Sequence, residues 1–98
     1  MVAKAPTWHV VVQSGGQTIA LAGSLSIGRE PDNGLCLEDN KLSRHHATIE
    51  AVANGWQVRD LGSTNGTGVN GKRISAPLLL KAGDVIEIGD TRMTMEER

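Results

Sequence analysis

The 98-residue sequence is poor in aromatic side chains, in cysteine and in long apolar runs. Trp8 and Trp56 are its aromatic residues, so the core must consist of aliphatic side chains and methionine, and we expect both tryptophans to pack on it. A lone cysteine, Cys36, excludes a disulfide within the chain, and its apolar neighbours predict a small buried side chain in a strand. Residues 1–7 lack the apolar stretch of a signal peptide, and no run reaches membrane length. These absences favour a reducing, cytoplasmic location without a membrane partner.

Neither sign of charge is in clear excess, because the net charge is only −1 and the basic and acidic residues are interspersed. Such a balance argues against a large nucleic-acid surface. A chain of this length has room for one hydrophobic core. We therefore expect one domain over residues 7–96, a flexible N-terminus at 1–6 and a frayed end at 96–98.

Helical periodicity is missing, whereas short alternating segments separated by Gly, Pro, Asn and Asp are frequent. The predicted strands are 8–12, 18–22, 25–28, 35–37, 46–52, 56–61, 74–80, 85–88 and 93–95. Many short strands at close spacing predict an all-β fold, an antiparallel β-sandwich. Asn54-Gly55, between two alternating segments, predicts a hairpin, because both residues tolerate a positive φ.

Residues 62–71, Gly-Ser-Thr-Asn-Gly-Thr-Gly-Val-Asn-Gly, are the most informative segment. Their glycines, asparagines and hydroxyls exclude a helix and predict a loop that adds nothing to the core. Such a loop suits an oxyanion or a tight hairpin. Two upstream segments, 26–30 and 42–47, each place an arginine beside small polar residues, and the guanidinium group matches the geometry of phosphate. The three segments together predict a phosphate-recognising surface made of loops.

The order and spacing of these segments resemble the forkhead-associated (FHA) family, whose pattern is Gly-Arg, Ser-Arg-x-His-Ala, and Ser-x-Asn-Gly-Thr followed by Asn-Gly. The matching residues are Gly28-Arg29, Ser43-Arg44-His45-His46-Ala47, Ser63-Thr64-Asn65-Gly66-Thr67 and Asn70-Gly71. With the strands outside the motifs, the resemblance extends over nearly the whole chain. It implies an FHA-like sandwich in which loops 28–33, 39–45 and 62–70 share one end.

The resemblance also implies a role for each residue of the motifs. Arg29 and Ser43 would be the principal phosphate ligands and Arg44 a third. Thr64 would donate its hydroxyl or backbone N–H to the phosphate, while the Asn65 amide would hold the main chain of the bound peptide. Structural support of the site would come from Gly28, His46, Gly66, Asn70 and Gly71. Each residue also has a simpler interpretation, as a solvated arginine or as a residue that only shapes a turn.

Neighbouring residues of a strand face opposite ways, so one of His45 and His46 should point inward and the other toward solvent. By resemblance His46 bonds the adjoining loops and His45 varies. A metal site would need further ligands, but His9 is distant in sequence and Cys36 lies in an apolar segment. We therefore expect neither a metal nor another cofactor.

Residues 66–72 match the glycine spacing of two nucleotide-binding motifs, but the following sequence lacks what each motif requires. Residues 66–71 fit G-x-G-x-x-G, yet no amphipathic helix follows. Residues 66–72 fit G-x-x-x-x-G-K, yet Arg73 stands where a magnesium-binding Ser or Thr belongs. No nucleophile–base pair or pair of carboxylates suggests catalysis, so we expect a binding module rather than an enzyme.

The predicted function, implied by the resemblance, is to bind phosphothreonine in a partner protein or in a phosphorylated segment of the parent protein, as a reader of a Ser/Thr kinase. Two alternatives remain open. One is a phosphorylation-independent interaction or oligomerisation sandwich that uses its sheet faces. The other is a nucleotide- or nucleic-acid-binding domain, which would use the basic residues Arg29, Lys41, Arg44, Lys72 and Arg73 and would depend steeply on salt.

Overall fold

Two β-sheets face each other across the aliphatic core. The computed structural model describes residues 7–13 and 15–98, so the predicted flexible segment 1–6 lies outside the described residues. The strands of the first sheet are β1 (Trp8–Val12), β2 (Thr18–Ala20), β7 (Thr67–Val69), β8 (Lys72–Arg73), β10 (Val85–Ile88) and β11 (Thr91–Glu97). The strands of the second sheet are β3 (Leu25–Gly28), β4 (Leu35–Cys36), β5 (Ala47–Val52), β6 (Gly55–Asp60) and β9 (Leu78–Leu79). The predicted β-sandwich of many short strands is confirmed.

The strand order is β2-β1-β11-β10-β7-β8 in the first sheet and β4-β3-β5-β6-β9 in the second. Alternate residues of these strands point between the sheets, where aliphatic and methionine side chains are buried. The buried apolar residues are Val10, Val12, Leu21, Leu25, Ile27, Leu35, Leu42, Ala47, Ile49, Val58, Val69, Leu80, Ile86, Ile88, Met93 and Met95. Trp8 and Trp56 are half-buried and pack against this cluster.

Two tight hairpins follow from local sequence. Val52 pairs with Gly55, so a hairpin forms where Asn54-Gly55 predicted one. Its two turn residues are Ala53 and Asn54, and of the predicted pair only Gly55, the first residue of β6, has a positive φ, 143°. Val69 pairs with Lys72, and the intervening Asn70 and Gly71 have φ values of 53° and 84°. Two successive residues with positive φ are typical of a type I′ turn, whose twist matches that of the flanking strands.

Three details of the predicted strands are wrong. Residues 62–71 are not all loop, because β7 lies within them and Val69 is buried. Of the predicted strand 74–80 only Leu78–Leu79 forms a strand, β9, since Pro77 lacks the N–H that a continuous ladder would need. The strands are not all antiparallel, because β3 and β4 run parallel.

The predicted fraying of residues 96–98 is also wrong. Strand β11 extends to Glu97, and its residues 93–97 pair with the whole of β1. Arg98 and Thr7 then exchange two backbone hydrogen bonds of 2.8 Å. The C-terminal strand is therefore held at the centre of the first sheet.

Candidate functional site

Three loops meet at one end of the sandwich because of the strand register. Ile27 near the end of β3 pairs with Ala47 at the start of β5, and Ala47 pairs with Asp60 at the end of β6. The loop after β3 (29–34), the loop before β5 (37–46) and the loop after β6 (61–66) must therefore lie side by side. These are the loops that the sequence resemblance placed at one end.

Hydrogen bonds join the first loop to the second. The backbone N–H of Arg29 donates to the Ser43 carbonyl at 3.1 Å, and the N–H of Glu30 donates to the Arg44 carbonyl at 3.2 Å. Nε of Arg29 donates to the Leu42 carbonyl at 3.2 Å. Leu42 is buried, so an apolar anchor fixes the segment that orients the Arg29 side chain.

Further hydrogen bonds join the second loop to the third. The backbone N–H of Thr64 donates to the Ser43 hydroxyl oxygen at 3.0 Å. Nδ2 of Asn65 donates to the Lys41 carbonyl at 2.8 Å. Ser43 therefore contacts both neighbouring loops, and the predicted ligands Arg29, Ser43, Thr64 and Asn65 are brought together.

The buried side chain of His46 joins the second and third loops. It is fully buried, whereas His45 is exposed beside Asp32 at 3.0 Å, as the alternation along the strand predicted. Nδ1 of His46 accepts from the backbone N–H of Ser43 at 3.1 Å. Nε2 lies 2.7 Å from the Gly66 carbonyl, to which it can donate when the proton is on that nitrogen. The neutral imidazole with its proton on Nε2 satisfies both contacts.

Asp60, which the sequence analysis did not single out, organises the third loop. Its carboxylate accepts from the hydroxyls of Ser63 and Thr67 and from the backbone N–H groups of Gly62 and Ser63. Burial raises the pKa of Asp60, but these donors outweigh it and lower the pKa below the usual value. The ionised carboxylate is the form that holds this loop.

Asp39 has the same role in the second loop. Its carboxylate accepts from the backbone N–H groups of Lys41 and Asp90 and from the Thr91 hydroxyl. Partial burial raises the pKa of Asp39, but these hydrogen bonds lower it further than burial raises it. Because Asp90 lies in the β10–β11 turn and Thr91 is the first residue of β11, Asp39 fixes the second loop to the opposite sheet.

Gly28 is required for close approach of the first two loops. A Cβ at this position would lie 2.2 Å from the Arg44 carbonyl oxygen and 2.8 Å from Nδ2 of Asn33. φ at Gly28 is not positive, so the position needs a glycine for space and not for an unusual backbone angle. Asn33, also missed, donates from Nδ2 to the carbonyls of Glu30 and Arg44 at 2.8 Å, so it closes the first loop around this contact.

The predicted ligand side chains are accessible to a molecule outside the protein. Arg29, Arg44, Thr64 and Asn65 are exposed and Ser43 is half-buried. Within residues 7–13 and 15–98, Arg29 forms no ion pair, whereas Nε of Arg44 lies 3.8 Å from a Glu30 carboxylate oxygen. The Ser43 hydroxyl accepts from Thr64 and keeps its own proton to donate. The loops thus present an unneutralised guanidinium beside hydroxyl and amide donors.

The predicted supporting residues do not all lie where the three loops meet. The Gly66 carbonyl contacts His46 directly, and Gly66 has a φ of 84°. Asn70 lies in the β7–β8 turn, where its amide donates to Asp84 and accepts from the backbone N–H of Val85, and among the described residues it forms no hydrogen bond with a predicted ligand. The N–H of Gly71 donates to a Glu87 carboxylate oxygen. These two residues shape the hairpin that follows the third loop.

Cys36 is not the small core residue that the sequence analysis predicted. It is exposed in β4, and its thiol lies 3.4 Å from the Arg29 carbonyl, to which it donates. Strand β4 lies at the edge of its sheet and alternates, so Leu35 takes the buried position and Cys36 faces outward.

Among the described residues, no three His, Cys, Asp or Glu side chains lie close enough together to hold a metal ion. The same part of the chain contains no helix with the length and apolar character needed to cross a membrane.

Comparison with known proteins identifies the family. The family model described as the FHA domain matches residues 25–89. The chain is similar to the ABC transporter ATP-binding/permease protein Rv1747 of Mycobacterium tuberculosis, with 46% identity over 69% of this chain and 8% of that protein. It is also similar to the glycogen accumulation regulator GarA of the same species, with 40% identity over 69% of this chain and 41% of GarA. The chain thus spans less than half the length of these relatives.

Solved structures agree in fold. M. tuberculosis EmbR in complex with a low-affinity phosphopeptide has a TM-score of 0.87 and 33% identity, covering 92% of this chain and 24% of that one. A structure from work on phosphothreonine-dependent FHA domain interactions has a TM-score of 0.86 and 34% identity, covering 92% and 95%. The matched family is one of binding domains rather than of catalytic domains. The chain belongs to the FHA domain family.

Proposed function

We propose that this domain binds a protein segment containing phosphothreonine, with Arg29 and Ser43 as the principal phosphate ligands and Arg44 and Thr64 as further contacts. The observation that carries the proposal is the meeting of Arg29, Ser43 and Thr64 through direct hydrogen bonds at one end of the sandwich. A phosphate at neutral pH brings about −1.5 to −2 charges and three acceptor oxygens. Arg29 has no carboxylate partner among the described residues, so its charge is available to such a ligand.

The main chain of the bound segment is assigned to Asn65. One N–H of its amide is used on the Lys41 carbonyl, which fixes the orientation of the group. The second N–H and the carbonyl oxygen have no partner among the described hydrogen bonds and can pair with a peptide group. Asn65 would therefore contribute affinity for the segment without recognising the phosphate.

The affinity that this set of contacts supports is moderate. Each hydrogen bond to a charged group is worth about 1.5–3 kcal/mol net. Three of them contribute about 4.5–9 kcal/mol before the entropy cost of ordering a peptide is subtracted. We therefore expect an affinity no tighter than the micromolar range, in which a Kd of about 1 μM corresponds to about −8 kcal/mol. Such an affinity suits a reversible contact that follows the activity of a Ser/Thr kinase. The bound segment would belong to a partner or to the parent protein. We place the domain in the cytoplasm, where ATP for that kinase is found.

The test is a titration of one peptide in four forms, with phosphothreonine, phosphoserine, glutamate or unmodified threonine at the same position. The phosphothreonine peptide should bind best. Phosphoserine should bind about fourfold more weakly, because one methyl buried against residues 63–68 is worth about 0.8 kcal/mol. Glutamate, with one charge and fewer acceptor oxygens, should bind very weakly.

The same titration has two internal controls. Affinity should fall below about pH 6, where the phosphate takes up its second proton. Arg29→Ala should reduce the affinity for phosphothreonine about thirtyfold or more, with little change in Tm because the side chain is exposed. Equal affinity for all four peptides would refute the proposal and favour interaction through the sheet faces.

A further inference from the structure

A groove of about 540 Å³ adjoins the third loop on the side of β7 and β8. Lining residues of this groove include Lys41, Asn65, Gly66, Lys72, Arg73 and Glu87. Asn65 and Gly66 belong to the loop that carries the proposed peptide contact. A segment held by Asn65 therefore lies next to this groove.

Arg73 packs directly against the third loop. Strand pairing sets Arg73 opposite Gly68, and its guanidinium lies over Gly66, where a Cβ would come within 2.3 Å of Nε and 2.6 Å of Cζ. Because Gly66 has no side chain, the charged end of Arg73 can approach the backbone of the site loop. This places a cation at the border of the proposed phosphopeptide site.

The charge of this cation is not neutralised within the described residues. Other basic side chains have acidic partners, such as Arg59 with Glu50 at 2.8 Å and Lys41 with Asp90 at 3.0 Å. Neither Lys72 nor Arg73 forms an ion pair in the part of the chain that the structure describes.

Glu87 is the acidic residue that lines the groove, but its carboxylate has other partners. It accepts from the Gly71 backbone N–H at 2.8 Å and lies 3.8 Å from Nε of Arg92. The groove beside Asn65 therefore keeps an excess of positive charge from Arg73 and Lys72.

We propose that this groove receives a second anionic side chain of the phosphorylated segment, and that Arg73, assisted by Lys72, determines this preference. The proposal rests on the proposed function, since the phosphothreonine fixes the segment whose flanking residue reaches the groove. The guanidinium group recognises an oxyanion, which can be the carboxylate of aspartate or glutamate or the phosphate of a second phosphorylated residue. Arg73 would then be a specificity-determining residue outside the phosphothreonine contacts.

The experiment is a positional scan with the intact chain. A phosphothreonine peptide with alanine at all flanking positions is the reference, and aspartate, glutamate or phosphoserine replaces each alanine in turn. The variants are Arg73→Gln, Arg73→Lys and Lys72→Gln. Arg98→Gln is the matched control, because Arg98 lies at the far end of β11 and pairs there with Glu96. The melting temperature of each variant shows whether it folds.

Wild type should bind one of the carboxylate peptides about two- to fivefold more tightly than the reference, the gain expected for an exposed ion pair. A larger gain for phosphoserine at that position would identify the second phosphate as the better occupant. Arg73→Gln should remove the gain and keep the affinity for the reference peptide, while Arg73→Lys should keep part of the gain. Lys72→Gln should reduce it, and Arg98→Gln should leave both affinities unchanged.

Three results would overturn the inference. One is the absence of any gain in the scan of wild type. Another is a gain that survives Arg73→Gln. The third is loss of the reference peptide by a folded Arg73→Gln, which would make Arg73 a ligand of the phosphothreonine itself. Failure of wild type to bind even the reference peptide would refute the proposed function, and with it this inference. The affinity of wild type for the reference peptide therefore distinguishes failure of the proposed function from failure of this inference alone.

Discussion

The hydroxyl oxygen of Ser43 accepts a hydrogen bond from the backbone nitrogen of Thr64, 21 residues later in the sequence, at 3.0 Å. The carbonyl of the same Ser43 accepts from the Arg29 backbone N–H. One small residue thus sets the spacing of all three loops. Because the hydroxyl oxygen is the acceptor in the contact with Thr64, its proton remains available to a ligand.

Ser43→Ala should therefore weaken phosphopeptide binding about tenfold or more, since it removes a hydrogen bond to a charged ligand worth about 1.5 kcal/mol or more. The Tm should change little, because Ser43 is half-exposed and water can replace the lost partner of Thr64. Calorimetric titration and thermal melting measure the two effects. Ser24→Ala, at an exposed turn serine, is the control. A large drop in Tm for Ser43→Ala would assign this hydroxyl to stability instead.

Gly28→Ala should destabilise the fold by crowding. The new Cβ would lie 2.2 Å from the Arg44 carbonyl oxygen, a backbone atom that cannot rotate away. Overpacking of this kind costs about 2 kcal/mol, which lowers the Tm of a domain of this size by about 10 °C. Gly23→Ala is the matched control, because nothing lies within 4 Å of a Cβ there. Equal Tm values for the two variants would contradict the close contact.

The convergence of the loops could be predicted only through the family resemblance, because the distance from Arg29 to Thr64 depends on strand register. The alternation of apolar residues did predict most strands and the sandwich, since buried faces require a period of two. It did not reveal β7, because a glycine-rich segment carries little apolar signal, although Thr67 and Val69 alternate about Gly68 and are buried.

The residues that hold the loops in place without being proposed ligands were harder to predict. Asp60 and Asp39 look like ordinary turn residues in the sequence, and their roles depend on donors from backbone and side chains that only the fold assembles. Cys36 was assigned to the core because its neighbours are apolar. In a short edge strand, however, one of two adjacent residues must face outward, and the sequence does not say which.

Asp60 should make the stability of the domain depend on acid pH. Because its pKa is lower in the folded chain than the usual value of about 3.9, the ionised carboxylate stabilises the fold above that value, and this stabilisation is lost as pH falls through the folded pKa. Wild type should therefore be more stable than Asp60→Asn by a constant amount above about pH 5, and the difference should shrink below about pH 4.

Denaturant unfolding of both proteins across this pH range measures that difference, and Glu38→Gln at an exposed acidic residue is the control. Comparing Asp60→Asn with wild type isolates this carboxylate from Asp39, whose pKa is also lowered and which remains in both proteins. A stability difference that stays constant down to pH 2 would mean that the charge of Asp60 does not stabilise the third loop.

His46→Ala should destabilise the domain first and weaken binding as a consequence. The imidazole is fully buried, and its removal leaves a cavity and strands the Ser43 N–H and the Gly66 carbonyl without partners. Together these effects cost about 3 kcal/mol, or about 15 °C in Tm. His45→Ala, at the exposed neighbour, should change the Tm little. If His46→Ala instead melted normally and still lost the phosphopeptide, the histidine would have to contact the ligand directly, which its burial beneath the second and third loops argues against.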